Sequence, residues 1–290
     1  MKKYKNSGRN EIESDEIQIK LYGEIAKIYN FGSKTDDQDD NVTVLQYLSK
    51  YLDILKINRL RKTQSLCLLI QFTQQITGIQ ALVFYSASII NSFGYSYEIS
   101  SVLVVLTACP KVLCVTFAAN VVDKYGRKIL LIVAFTILAL VNFGLTFTVM
   151  YGAGGEKYDD DQSNETTAEI LSYVSLALIS IFFSTFAIGP GSIPSFIQAE
   201  MMTSDYVDEV QLICLIFNFG MSFLIGLLFP SLNNAIHSFV FLLFGSLTLV
   251  SVVAVYLFFP ETKGKNSLEV QAEIMGWTIE EAAQKINKKK

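Results

Sequence analysis

ILLIVAFTILALVNFGLTFTVM, residues 129–150, is a run of 22 residues without one charged side chain. Coiled as α-helix it is long enough to cross about 30 Å of hydrocarbon. Five further long, predominantly apolar blocks lie near 65–92, 99–122, 169–199, 209–231 and 238–259. Overall 51% of the 290 residues are hydrophobic and 17% are charged, and the charge is confined to the ends and to short gaps. A soluble chain spreads its apolar residues at helix or strand period; massing them in blocks fits lipid as the solvent. The expected fold class is therefore an all-α membrane protein with six transmembrane helices. Residues 63–259 form the bundle, after a polar, partly helical cytoplasmic segment 1–62 and before a polar tail 260–290.

Working outward, Glu11 to Tyr29 carries Ile12, Ile17, Ile19, Leu21, Ile25 and Ile28 as a helical stripe. An Asp-rich break follows, and then Val44, Leu45, Leu48, Leu52 and Leu55 recur at helical spacing. These read as short surface helices ahead of the membrane. Residues 1–10 contain no apolar h-region, so the first apolar block is expected to target the chain itself. Thr278-x-x-Glu281 has the form of a capping box for a last short helix.

Lys/Arg asymmetry sets the orientation. Lys56, Arg59, Arg61 and Lys62 precede the first span; Lys124, Arg127 and Lys128 separate the second from the third; Lys263 and Lys265 follow the sixth. The opposite loops hold Lys157 alone, so both termini are expected in the cytoplasm. The loop Met201 to Val210 is acidic and weakens this pattern without reversing it. Asn164-Glu165-Thr166 is a glycosylation sequon on the outer side, whereas Asn41-Val42-Thr43 lies on the wrong side. The four cysteines, Cys67, Cys109, Cys114 and Cys214, sit in apolar blocks without metal or disulfide spacing and are expected to be buried small hydrophobes.

Polar residues inside the blocks carry the chemistry. Gln71, Gln74, Gln75, Gly78 and Tyr85 fall within roughly one 100° sector of a helix. Amides and a phenol in such a stripe suit a neutral polyol. They equally suit interhelical hydrogen bonding. Gln80 lies on the opposite face of a straight helix and joins the stripe only if the helix is distorted around Gly78. In the fourth span, Pro190 and Pro194 lack an N–H, so the carbonyls of Phe186 and Pro190 lose their helical partners. With Gly189 and Gly191 they predict a broken helix that lines a cavity or packs on protein, as at carrier hinges; a merely structural kink is the alternative. Lys111 lies about 18 Å from Asp123 along the second span. An ammonium at that depth faces a cavity or finds a local partner, for which the carbonyl of Leu106, freed by Pro110, is available. Asn218 completes the set, and His237 lies in an outer loop as a bystander. No Walker loop, metal-spaced cluster or nucleophile–base set occurs in the sequence, so no enzyme, cofactor or metal is expected. The net charge of −4 gives no pointer to nucleic acid.

These residues resemble the sugar porters of the major facilitator superfamily. Gln74-Gln75-Ile76-Thr77-Gly78-Ile79-Gln80 is similar to that family's QQ-[ST]-G-[IV]-N segment. Asp123 to Lys128 resembles its [DE]-R-x-G-R-R turn. Gly189 to Pro194 with Ala199-Glu200 resembles its GPGPIPW…AE segment, and Pro260 to Gly264 is its PETKG signature. The resemblance implies the C-terminal half of a twelve-span fold. It also implies transport of a hexose by alternating access, most directly facilitated diffusion, at the plasma membrane. Gln74, Gln75, Tyr85 and Asn218 would then bond sugar hydroxyls, with Gln80 replacing the usual Asn. Asp123, Arg127, Glu200 and Glu261 would form charge clusters that latch one state. Departures from the pattern at the same site are Phe84 for a tyrosine, Lys111 for a neutral polar residue, Ala187 for an acid, Ser195 for an aromatic and Phe219 for Trp. The implied partners are a hexose, the bilayer, and an N-terminal half or another carrier chain. A sensor or regulatory half that binds a full-length carrier is the alternative.

Overall fold

The computed structural model describes residues 51, 54–152, 162–278 and 281. The chain divides into two compact units, Met1–Leu48 and Ser49–Lys290. The first unit, with the stripe from Glu11 and the Asn41 sequon, lies outside the described residues, and every helix named below belongs to the second.

Among the described residues there are nine α-helices: α1 Asn58–Gln75, α2 Ile79–Asn91, α3 Tyr97–Tyr125, α4 Arg127–Gly152, α5 Gln162–Ile188, α6 Ile193–Met201, α7 Val207–Ile236, α8 Phe239–Phe258 and α9 Ser267–Met275. They supply six stretches long and apolar enough to span a membrane: Asn58–Asn91, Tyr97–Tyr125, Arg127–Gly152, Glu169–Met201, Val207–Ile236 and Phe239–Phe258. The chain is thus a multi-pass membrane protein with all six expected spans in place. The first span is α1 plus α2 and the fourth is α5 plus α6, so the two polar segments that carry Gly78 and Pro190 are both helix breaks. The first span also begins earlier than its hydropathy suggests. Arg59, Arg61 and Lys62 sit in the first turns of α1 rather than ahead of it, so a boundary at 62/63 falls inside a helix. Long basic side chains reach away from lipid while their stems stay apolar, so such charges do not end a helix.

The core runs between α4, α5 and α8, where Leu131, Phe135, Leu138, Leu145, Ile179, Phe182 and Phe241 are buried. α3 packs on α5, and α1 packs on α7. Apolar faces of α3 and α7 point outward, with Val105, Val112, Leu113, Phe223 and Leu227 exposed. This exterior is as expected where hydrocarbon is the solvent. It also corrects the expectation for the cysteines: Cys67 and Cys214 are buried, but Cys109 is exposed and Cys114 half-exposed, because both lie on the peripheral α3.

The break in the fourth span is satisfied locally. Gly191 N–H donates to the Phe186 carbonyl at 2.7 Å, and Ser192 Oγ donates to the Ala187 carbonyl at 2.7 Å. The Phe186 carbonyl, expected to be free, is therefore taken up one residue beyond its lost partner. A Cβ at Gly189 would overlap that of Ala134, so the segment packs on α4. At the far end, α9 is fastened by Gln271 Nε2 donating to the Met201 carbonyl at 2.8 Å. Thr278 and Glu281 make the reciprocal bonds of a capping box, each at 3.3 Å, as their spacing predicts.

Candidate functional site

The glutamine stripe of the first span meets α7. Asn218 Nδ2 donates to Gln71 Oε1 at 2.6 Å and to Gln74 Oε1 at 2.9 Å. Gln75 Nε2 donates to the Asn218 carbonyl at 3.2 Å and to Ser222 Oγ at 3.0 Å. Further along, Tyr85 OH donates to the Gly226 carbonyl at 3.0 Å. Asn218, Ser222 and Gly226 are spaced four apart and share one face of α7. Gln71 and Gln75 are buried, while Gln74, Gln80, Tyr85 and Asn218 are half-buried. The seam thus ties two spans together and still presents amides and a phenol on its open side. Gln75 Oε1 is buried without a partner among the described residues. An acceptor left over in apolar surroundings is costly unless something donates to it.

Gln80 reaches the seam because the helix breaks. Gly78 has φ +85°, the left-handed region in which glycine alone is unstrained, and a Cβ there would come within 2.9 Å of the Phe244 ring. Beyond the break α2 restarts at Ile79, and Gln80 Nε2 donates to Ser222 Oγ at 2.9 Å. The condition set by the sequence, distortion around Gly78, is met. Ser222 is the residue that sequence reasoning missed. Its one signal was the four-residue spacing from Asn218.

Other candidates stand apart. Lys111, at the middle of α3, is half-exposed and holds its ammonium 5.9 Å from the centroid of the Phe183 ring on α5. The local partner is thus an aromatic face. Ala187 is buried, whereas Ser195 is exposed beyond the break. Phe84 is exposed and lies against Gly226, and Phe219 is exposed beside Asn218. Asn164 falls in the first turn of α5, and its side chain is outside the described residues.

At the end of the bundle bearing Asp123, the four charged residues do converge. Arg127 Nη2 lies 3.0 Å from Asp123 Oδ1 and 2.8 Å from Glu200 Oε1. Glu261 sits over the start of α4, with Oε1 accepting from Arg127 N–H at 3.0 Å and Oε2 from Lys128 N–H at 3.3 Å. A carboxylate there faces the positive end of the helix dipole. Thr262 Oγ1 donates to Glu200 Oε2 at 2.5 Å, and Lys263 Nζ donates to the Lys124 carbonyl at 2.8 Å. The sequence pointed to neither of these two residues as members of the cluster.

The fold is thus six spans, two of them broken at glycine, with an amide seam between the first and the fifth. The solved proton:xylose symporter XylE bound to 6-bromo-6-deoxy-D-glucose shares this fold, with a TM-score of 0.58 at 19% identity over 74% of this chain and 42% of that one. A D-xylose-proton symporter gives a TM-score of 0.62 at 18% identity, over 80% of this chain and 52% of that one. The chain belongs to the sugar (and other) transporter family, whose model matches residues 9–274. It is 29% identical to a facilitated glucose transporter homolog of Caenorhabditis elegans over 71% of this chain and 38% of that protein. It is 27% identical to the facilitated trehalose transporter Tret1 of Drosophila pseudoobscura pseudoobscura over 79% of this chain and 25% of that protein. The chain therefore spans well under half the length of these curated relatives. They are transporters, not enzymes.

Proposed function

We propose that this chain supplies one wall of the sugar path in a twelve-span carrier that moves a hexose by alternating access, as facilitated diffusion. The observation that carries the reading is the convergence of Gln74, Gln75, Gln80 and Asn218 on one seam beside the break at Gly78. Amides that both donate and accept match sugar hydroxyls, which do the same. In the substrate-bound state Gln74, Gln75, Gln80, Tyr85 and Asn218 exchange bonds between spans for bonds to the sugar. Phe84 and Phe219 offer apolar faces, Lys111 and Ser195 line the approach, and Ala187, buried at the break, joins them when the hinge moves. Gly78 and Gly189-Pro190-Gly191 with Pro194 act as hinges, and the Asp123–Arg127–Glu200–Glu261 cluster latches the cytoplasmic side. Both termini face the cytoplasm of a cell whose plasma membrane holds the carrier, with Asn164 glycosylated outside. An N-terminal half or another carrier chain supplies the opposite wall.

Proteoliposomes containing the chain, with and without a co-expressed N-terminal six-span half of a glucose carrier, test this with labelled glucose and fructose. Saturable uptake that requires the assembled unit supports the reading. Sugar binding without flux in every assembly would instead make the chain a sensor or regulatory half, and absence of both would remove sugar from the account. Lys111→Met is expected to change the KM for the transported hexose by about tenfold, corresponding to about 1.4 kcal/mol. Unaltered KM and uptake would take Lys111 out of the path.

A further inference from the structure

The left-handed turn at Gly78 leaves Thr77 between two helices, since α1 ends at Gln75 and α2 starts at Ile79. In a continuous helix the Thr77 carbonyl would accept from the N–H of residue 81. Here it accepts instead from Asn142 Nδ2, at 3.1 Å, across from the third span. Asn142 is 1% exposed and Thr77 is fully buried, so no water competes for this bond. The surroundings fix both partners. A Cβ at Gly78 would press on Phe244, and one at Gly245 would come within 3.3 Å of Asn142 Cβ. The third and sixth spans pack extensively on each other, so the joint is anchored on a closely packed helix pair. Asn142 Oδ1 has no partner among the described residues, although it is buried. Of the Asn142 amide, then, the donor side alone is bonded across to another span.

We propose that Asn142 is a positioning residue that holds the first span broken at Gly78, and so holds Gln80 beside Gln75 on Ser222. The bent and the straight forms differ in who serves the Thr77 carbonyl. The Asn142 amide serves it in the bent form, and the backbone N–H of Ala81 serves it in the straight one. Removing the amide penalises the bent form alone. The straight form turns Gln80 to the opposite face and takes it out of the amide seam, while Gln71, Gln74 and Gln75, ahead of the break, keep their places on α7. The inference rests on the carrier reading only for what that seam is used for; the geometry of the break is independent of it.

Spin labels on non-canonical amino acids at positions 72 and 83 report the break directly. Both side chains are exposed, at 40% and 45%, and they flank Gly78. In the full chain in lipid nanodiscs, without sugar, the unsubstituted protein is expected to give one narrow distance. In Asn142→Leu, which keeps the volume and removes the donor, the distribution is expected to move toward the ~16 Å axial separation of a continuous helix. Asn142→Gln, which restores an amide, is expected to return most of the population to the original distance. Asn142→Val is a second donor-free variant, with no polar hydrogen to offer the Thr77 carbonyl. It is expected to behave as the leucine does and serves if the leucine variant does not fold. An unchanged distance in the donor-free variants overturns the proposal, and so does an equal shift in Asn142→Gln, which would trace the effect to side-chain shape. Absence of both sugar binding and uptake in every assembly would sink the carrier reading and leave these distances standing.

Discussion

Replacing Gln75 by leucine is expected to weaken hexose binding by about a hundredfold or more while the six-span bundle still folds. On the proposed function the amide does two jobs of unequal weight, and the two effects separate. As glue, it donates to the Asn218 carbonyl and to Ser222 Oγ. Interhelical bonds of this kind in membranes contribute about 0.6 kcal/mol on average. Ser222 keeps a second donor in Gln80, and the Asn218 carbonyl lies within the helical α7, so neither atom is stranded. As a ligand group, it carries the otherwise unpartnered Oε1 and a donor pair that can turn to a sugar. A hydroxyl brought into a dry site without its partner costs about 1–3 kcal/mol, and two such losses correspond to about 10² or more in affinity. Equilibrium binding of labelled glucose alongside a thermal melt of the purified chain separates the two. A lowered melting temperature with unchanged affinity would leave the seam as interhelical packing alone.

How much of this was legible in the sequence depends on what hydropathy encodes. Length and freedom from charge fix that a segment spans, so all six spans were readable, residues 129–150 most plainly. Rotation about the helix axis is not encoded that way. Cys109 and Cys214 sit in equally apolar blocks, yet one faces outward and the other inward, because α3 is peripheral and the inner stripe of α7 packs on α1. Glycine and proline encode where a helix can break but not where the chain goes next. The distortion at Gly78 was readable as a condition on Gln80. The acceptor it delivers Gln80 to, Ser222, was not, since that depends on how two spans dock. Likewise Pro190 announced a lost bond at Phe186 but not that Gly191 would replace it. Asp123, Arg127, Glu200 and Glu261 were named by the resemblance rather than by any pattern of their own, and they do come together near the helix ends. Asn142 went unread because one amide in 22 apolar residues has no pattern to betray it.

Glu261→Ala is expected to lower the stability of the bundle by about 1–3 kcal/mol, the range for losing charge-assisted bonds at a partly exposed site. Glu261 Oε1 accepts from Arg127 N–H and from its neighbour Lys263 N–H at 3.1 Å, and Oε2 accepts from Lys128 N–H. Two of these donors belong to the first turn of α4, whose N–H groups have no partner within the helix. The carboxylate therefore joins the end of the sixth span to the start of the third, the same pair whose packing forms the core. Gly126 makes the approach possible: at φ +89°, a Cβ would lie 2.9 Å from Glu261 Oε2. Gly126→Ala is accordingly expected to reproduce most of the loss while leaving the carboxylate in place. The neighbouring ion pairs do not compensate. Asp123 has a side chain 73% exposed, and its pair with Arg127 is worth little in water. Glu200 is already committed to Arg127 and Thr262. Glu261→Gln retains one acceptor oxygen and is expected to fall between the alanine variant and the native chain. Thermal melts of the four proteins in one detergent read the order directly: native above Gln, Gln above Ala, with Gly126→Ala near the alanine variant. If Glu261→Ala melts with the native chain, the first turn of α4 is served by water and the carboxylate is no latch.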